Sequence, residues 1–233
     1  MKIKTPLITL IALACLQIAL FANAHQTDKV YTQYKLYPPF AKYFKHCDLK
    51  MNKFYYINCY DFDYKGTQAV AYRLEARILK LGAVGKRPSF KADNQVPLKY
   101  RTKTQDYTKS GFDRGHTLSN QSMNATIDSQ KSTFLMSNIT PQNPQINRTI
   151  WKKAEDRERA LAKAEGSAEV LNIVIYPKDK SKLKFIHNNI AIPIAYVKII
   201  ETKDTKECYE FPNHEVENES LESYKVRCGG KGD

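Results

Sequence analysis

The feature that most narrows the fold is a single long helical segment in a chain otherwise written in strands. Asn143-Pro144 supplies an N-cap and a proline at the first helical position, and Gly166 supplies the stop. Between them, apolar Ile146, Ile150, Ala154 and Leu161 recur at helical spacing. Around this helix, residues 55–60, 69–79, 133–136, 170–176 and 190–200 carry the β-branched, aromatic and apolar content of strands. Pro193 interrupts the last of these, which implies an edge or a bulge. One helix among strands, without regular alternation, excludes a doubly wound sheet and points to an α+β fold. Internal repeats are absent, and no Gly/Ser linker divides residues 25–233, so that stretch reads as one domain. With 42% apolar and 26% charged residues, the chain has the makings of a core rather than of a disordered tail.

Residues 1–24 stand apart. Lys2 and Lys4 precede an uncharged run from Pro6 onward that ends in Phe21-Ala22-Asn23-Ala24. A basic start, an apolar centre and an Ala-x-Ala ending predict a secretory signal peptide cleaved after Ala24. The expected location is secreted or periplasmic, with no stable membrane association after cleavage. Cleavage removes Cys15 and leaves Cys47, Cys59, Cys208 and Cys228, an even set that predicts two disulfides in an exported chain. The local pairs Cys47–Cys59 and Cys208–Cys228 are expected, each stapling one end of the fold.

The charge is uneven. Lys and Arg number 37 against 24 Asp and Glu, a net +13 that loses two units with the leader. Residues 80–109 hold eight basic side chains against Asp93 and Asp106, in a Gly-, Pro- and Asn-rich stretch that reads as a loop. Residues 201–222 hold eight acids against Lys203 and Lys206. One positive face attracts polyanions, either nucleic acid or an anionic membrane surface.

Of five histidines, His116 stands out for its company in Asp113-Arg114-Gly115-His116. An imidazole can take a proton from water near neutrality, an arginine fork fits phosphate, and glycine permits close approach. On the helix, Asn147, Trp151, Glu155 and Arg159 lie four residues apart, so each step turns about 40° and the side chains form one stripe beside the apolar face. An amide oxygen and a carboxylate are hard ligands suited to Mg²⁺. Glu158 falls on the same stripe, so spacing leaves it level with Glu155, and a solvated Glu155–Arg159 pair is the plain alternative.

Asp113-Arg114-Gly115-His116, Ser137-Asn138-Ile139-Thr140-Pro141-Gln142 and Asn147-x₃-Trp151-x₃-Glu155-x₃-Arg159 together resemble the DNA/RNA non-specific endonucleases, DRGH-type enzymes with a ββα-metal active site. The resemblance is strong over residues 112–161 and weaker through residues 71–74 and 192–198. The first cysteine pair and the acidic C-terminal segment lie outside it. It implies a central antiparallel sheet flanked by helices, one of them a long metal-site helix. It further implies a Mg²⁺-dependent (or Mn²⁺-dependent) hydrolase of DNA and RNA leaving 5′-phosphates, and admits a homodimer. His116 would be the general base and Asn147 the direct metal ligand. Glu155, rather than Glu158, would hold a metal-bound water. Arg114 and Arg159 would contact phosphate, Asn138 would support the site by hydrogen bonding, and Asp113 would be structural. Arg87 best fills an upstream arginine position, in a loop whose length departs from the pattern.

Zinc does not fit, because no cysteine pair is spaced with histidine as a ligand set. Tyr100 and Tyr107 are candidates for stacking on bases. Asn-x-Ser/Thr sequons begin at Asn124, Asn138, Asn147 and Asn218; two fall on site candidates, so no glycosylation is read from them. The rival to an enzyme is a nucleic-acid-binding protein with the same fold and no catalysis.

Overall fold

The computed structural model describes residues 28–217 and 220–229; the expected leader with Cys15, and the Asn218 sequon, lie outside them. Eleven strands are described: β1 (Leu49–Asn52), β2 (Tyr56–Asp61), β3 (Gly66–Glu75), β4 (Asp113–His116), β5 (Ile139–Gln142), β6 (Ser167–Ile175), β7 (Phe185–Ile186), β8 (Ile190–Ala191), β9 (Ala195–Glu201), β10 (Lys206–Pro212) and β11 (Lys225–Val226). Four α-helices are found among the described residues: α1 (Ala76–Leu79), α2 (Ile127–Thr133), α3 (Pro144–Arg148) and α4 (Ile150–Glu165). The class is α+β, as the order of segments predicts.

Seven strands form one sheet in the order β1-β2-β3-β6-β9-β10-β11, antiparallel at every pairing. Its central strands are buried on both faces, so their side chains alternate between two cores. Val70, Tyr72 and Leu74 of β3 join Val170, Ile200 and the α4 residues Ile150, Trp151, Ala154 and Leu161 in one cluster. Ala69 and Ala71, one position out of phase, join Leu171, Ile199 and the aromatic residues Tyr34, Phe40 and Phe44 in the other. The second face is thus covered by the N-terminal segment, whose 3-10 turn Pro38–Phe44 supplies two of those rings.

Both expected disulfides are present. Cys47–Cys59 ties the segment before β1 to β2, and Cys208–Cys228 ties β10 to the chain after edge strand β11, with Cα separations of 5.1 and 5.3 Å.

The local departures from the sequence reading have physical reasons. The run 69–79 is strand only to Glu75, because its partner β6 begins opposite at Ser167; Ala76 then donates to the Gly166 carbonyl at 2.8 Å and Ile78 is buried by a helical turn. Residues 133–136 are not a strand: they close α2 and enter a 3-10 turn, and β5 starts only at Ile139. The run 190–200 breaks at Pro193 into β8 and β9, which belong to different sheets.

The helix is capped as expected, with the Asn143 side chain accepting from the Gln145 and Ile146 amides, and it ends at Gly166 with φ +89°. It is, however, broken at Thr149 (φ −117°, ψ −90°) into α3 and α4. Strands β4 and β5 pair antiparallel beside the main sheet, with Asp113 opposite Gln142 and His116 opposite Ile139. Since α3 starts two residues after β5, this pair and the broken helix form a compact ββα unit.

Candidate active site

Strand β4 ends with His116 at the wall of a cleft of about 280 Å³, lined by Arg87, Arg114, His116, Ser119, Asn120, Gln121, Asn147, Lys152 and Glu155. Five of the sequence candidates therefore meet: Arg87, Arg114, His116, Asn147 and Glu155. Gly115 makes the approach of β5 possible, since a Cβ there would run into the Gln142 side chain. The His116 carbonyl accepts from the Trp151 indole at 3.2 Å, which fixes the strand end to α4.

Asn147 is oriented by Asp113. A carboxylate only accepts, so the Asn147 Nδ2 must face it, at 2.9 Å from Asp113 Oδ2, and the amide oxygen is left for the cleft. Arg148 grips the same carboxylate with Nε and a terminal nitrogen, at 2.9 and 2.7 Å. Burial would raise the Asp113 carboxyl, but these hydrogen bonds outweigh it and hold the group below its ordinary value.

Glu155 receives one hydrogen bond, from the Ser119 hydroxyl at 2.8 Å. Burial pushes its carboxyl up to about 7, against the pull of Lys198. The pair therefore presents a free amide oxygen and a carboxylate short of positive charge, which is the hard, oxygen-only chemistry that suits a Mg²⁺-type cation keeping most of its waters. Among the described residues no group of three His, Cys, Asp or Glu side chains could close a metal cage. Burial, then the nearby Arg87 guanidinium, push the His116 imidazole down to about 3, so it is uncharged through the neutral range.

The remaining candidates sit elsewhere. Asn138 is fully buried: Nδ2 donates to the Leu118 and Thr133 carbonyls, and Oδ1 accepts from Leu118 N, each at 2.9 Å, which ties down the chain just past His116. Arg159 does not line the cleft; it is held by Asp156, by Ser122 Oγ at 3.0 Å and by Gln121 Oε1 at 3.1 Å. Glu158 is wholly buried, paired with Lys198 and accepting from Tyr72 (2.9 and 2.8 Å) and Ser122 (2.6 Å). Of the two tyrosines proposed for base stacking, Tyr107 is buried, and half-buried Tyr100 has one face stacked on Phe62 with ring centres 4.2 Å apart.

Ser119, Asn120, Gln121 and Lys152 were missed by the sequence reading. Ser119 follows His116 by three residues and Lys152 precedes Glu155 by three, but no spacing pattern singles them out. Asn120 Oδ1 is buried there with no hydrogen-bond partner.

Against known proteins, the chain is similar to human mitochondrial endonuclease G, 28% identical over 153 residues that make up 62% of this chain and 52% of that protein. It is similar to Nuclease C1 of Cunninghamella echinulata var. echinulata, 30% identical over 152 residues, or 59% of this chain and 60% of the relative. A nuclease of Serratia marcescens is 32% identical over 124 residues, 51% of this chain and 46% of its own length. The chain thus spans about half to three-fifths of the curated relatives it matches. A solved EndoG/EndoGI complex contains the same fold, with a TM-score of 0.69 at 24% identity over 83% of this chain and 88% of that one. With residues 41–230 matching its family description, the chain belongs to the DNA/RNA non-specific endonucleases.

Proposed function

We propose that this protein is an exported, divalent-metal-dependent endonuclease that hydrolyses phosphodiester bonds in DNA and RNA. The observation that carries the reading is the convergence of an uncharged imidazole, an oriented amide oxygen, a carboxylate and two arginines on one cleft. His116 takes a proton from the attacking water, a contribution of about 10²–10⁴-fold in such reactions. Arg114 and Arg87 bind the phosphate and offset the charge that develops on it. Asn147 would hold the cation, Mg²⁺ or Mn²⁺, directly, and Glu155 would hold it through a water. When bound, that cation supplies charge neutralisation at the phosphate and assistance to the leaving oxygen. Asp113 keeps the Asn147 amide pointed, and Asn138 keeps the chain behind His116 in place. Arg159, turned toward Asp156 and Gln121, reaches phosphate only by releasing them.

Contacts to phosphate position a polyanion without reading its sequence. The cleft's cationic rim (Arg87, Arg114, Lys152) is therefore consistent with a substrate range set by the backbone rather than by bases. Export is supported by the leader-like residues 1–24 and by two disulfides, which persist in oxidising compartments. No helix among the described residues is long and apolar enough to cross a membrane. The test is digestion of supercoiled plasmid and of RNA with Mg²⁺, Mn²⁺ or EDTA, followed by end analysis. Cleavage of both polymers with 5′-phosphate ends, abolished by EDTA, is expected. Bound but intact nucleic acid with either metal would favour a binding protein instead.

A further inference from the structure

His116 lacks the partner that usually orients a general-base histidine. Among the described residues no carboxylate pairs with its ring, and Nε2 is buried with no hydrogen-bond partner. Two phenylalanines enclose the imidazole instead. The Phe134 ring lies 4.9 Å away, nearly perpendicular at 79°, and the Phe90 ring lies 5.3 Å away at 42°. The two phenyl rings also touch each other, with centres 5.1 Å apart. They come from distant segments joined by a small backbone clasp. Lys91 N donates to the Phe134 carbonyl at 3.0 Å and Met136 N donates to the Lys91 carbonyl at 2.8 Å. Each ring carries one of the cleft arginines, Arg87 over Phe134 at 5.3 Å and Arg114 over Phe90 at 5.8 Å.

We infer that Phe90 and Phe134 are the positioning residues of the base, an aromatic clamp standing where an acid or carbonyl would otherwise hold the imidazole. The inference rests on His116 acting as the base. Edge-to-face packing fixes the plane of an aromatic ring more tightly than aliphatic packing does. Nε2 is buried without an acceptor beside these rings, so a weak N–H···π contact is the donor interaction within its reach. The clamp as inferred keeps the proton on Nε2 and leaves the Nδ1 lone pair to accept from the water. Because the arginines lie on the same rings, base and phosphate-binding groups are registered to one another without any direct bond between them.

The test uses the full chain with Phe90→Leu, Phe134→Leu and the ring-preserving Phe90→Tyr, each checked for intact fold. Nitrogen-15 spectra of the histidines are recorded without metal, so that this readout does not depend on activity. Wild type and Phe90→Tyr should show His116 as one Nε2–H tautomer, and the leucine variants should show averaging of both. At saturating plasmid, the single-turnover rate should fall about 10- to 100-fold in the leucine variants, the scale of a misplaced reacting group, and recover in Phe90→Tyr. Phe90, half-buried on a loop, is the variant to rely on if Phe134→Leu does not fold. An unchanged tautomer and unchanged rate in folded Phe90→Leu would overturn the clamp. Wild type with the single tautomer but no cleavage would overturn the nuclease reading instead.

Discussion

At the scale of single residues, the cleft combines side chains that stand close together in sequence with others whose surroundings come from distant strands. His116, Arg114, Asn147 and Glu155 were marked by their motif, and they meet. Glu158 stood level with Glu155 on a helical wheel because that wheel assumed one continuous helix through Asn147. The partner that draws Glu158 into the core, Lys198, comes from β9, 40 residues further along the chain, which spacing along a helix does not reveal. Glu155 carries the sharpest consequence. Its carboxyl is pushed up to about 7 from an ordinary 4.5, so between those values the folded state binds a proton that the unfolded state has lost. Stability without metal should therefore fall as pH rises from about 4.5 to about 7. Glu155→Gln should flatten that part of the profile, and Mg²⁺ should raise the melting temperature of wild type but hardly that of the variant. Calorimetry in EDTA and in Mg²⁺ across this range checks it; identical profiles for the two proteins would refute the assignment.

At the scale of elements, the long helix was correctly capped and terminated from sequence but not broken. Thr149 has no glycine or proline to announce its kink, and the break follows from docking α3 against β4 through Asp113. Residues 133–136 depart in the opposite sense: Phe134 and Met136 are buried as a strand's would be, yet pairing stops at a single parallel bridge between Leu135 and Lys91 and does not extend into a strand. The β4–β5 pair makes the most exacting demand, because Gly115 faces Gln142 with no room for a Cβ. Gly115→Ala should pry the two strands apart, costing on the order of 1–3 kcal/mol as an overpacked site does, and lower activity far more than its loss of stability explains. Denaturant melts alongside cleavage rates measure both. A fully active Gly115→Ala would show that the β4–β5 pairing does not set the geometry of the site.

At the scale of the molecule, the disulfide count was the most informative number in the composition, and both local pairings are present. By the chain-entropy account each closes a loop worth about 3 kcal/mol, so reduction should lower the melting temperature by on the order of 10 °C. An unchanged melting temperature in reductant would contradict both staples. Charge was legible as an excess but not as a map. Of the eight basic residues in 80–109, Arg87 reaches the cleft lining, whereas Arg101 is spent on Asn94 and the Val96 carbonyl. Part of the acidic stretch is paired too, as in Glu207 with Arg157. The central claim is that His116 and Asn147 form a metal-dependent phosphodiester-cleaving site on this fold. It is tested most directly by single-turnover cleavage of a supercoiled plasmid by wild type, His116→Ala and Asn147→Ala, each with its DNA affinity measured in parallel. The account predicts Mg²⁺-dependent cleavage by wild type, a loss of about 10²–10⁴-fold in His116→Ala, and nearly unchanged affinity. It predicts loss of the metal-dependent rate in Asn147→Ala. Wild-type rates in a folded His116→Ala protein would contradict it.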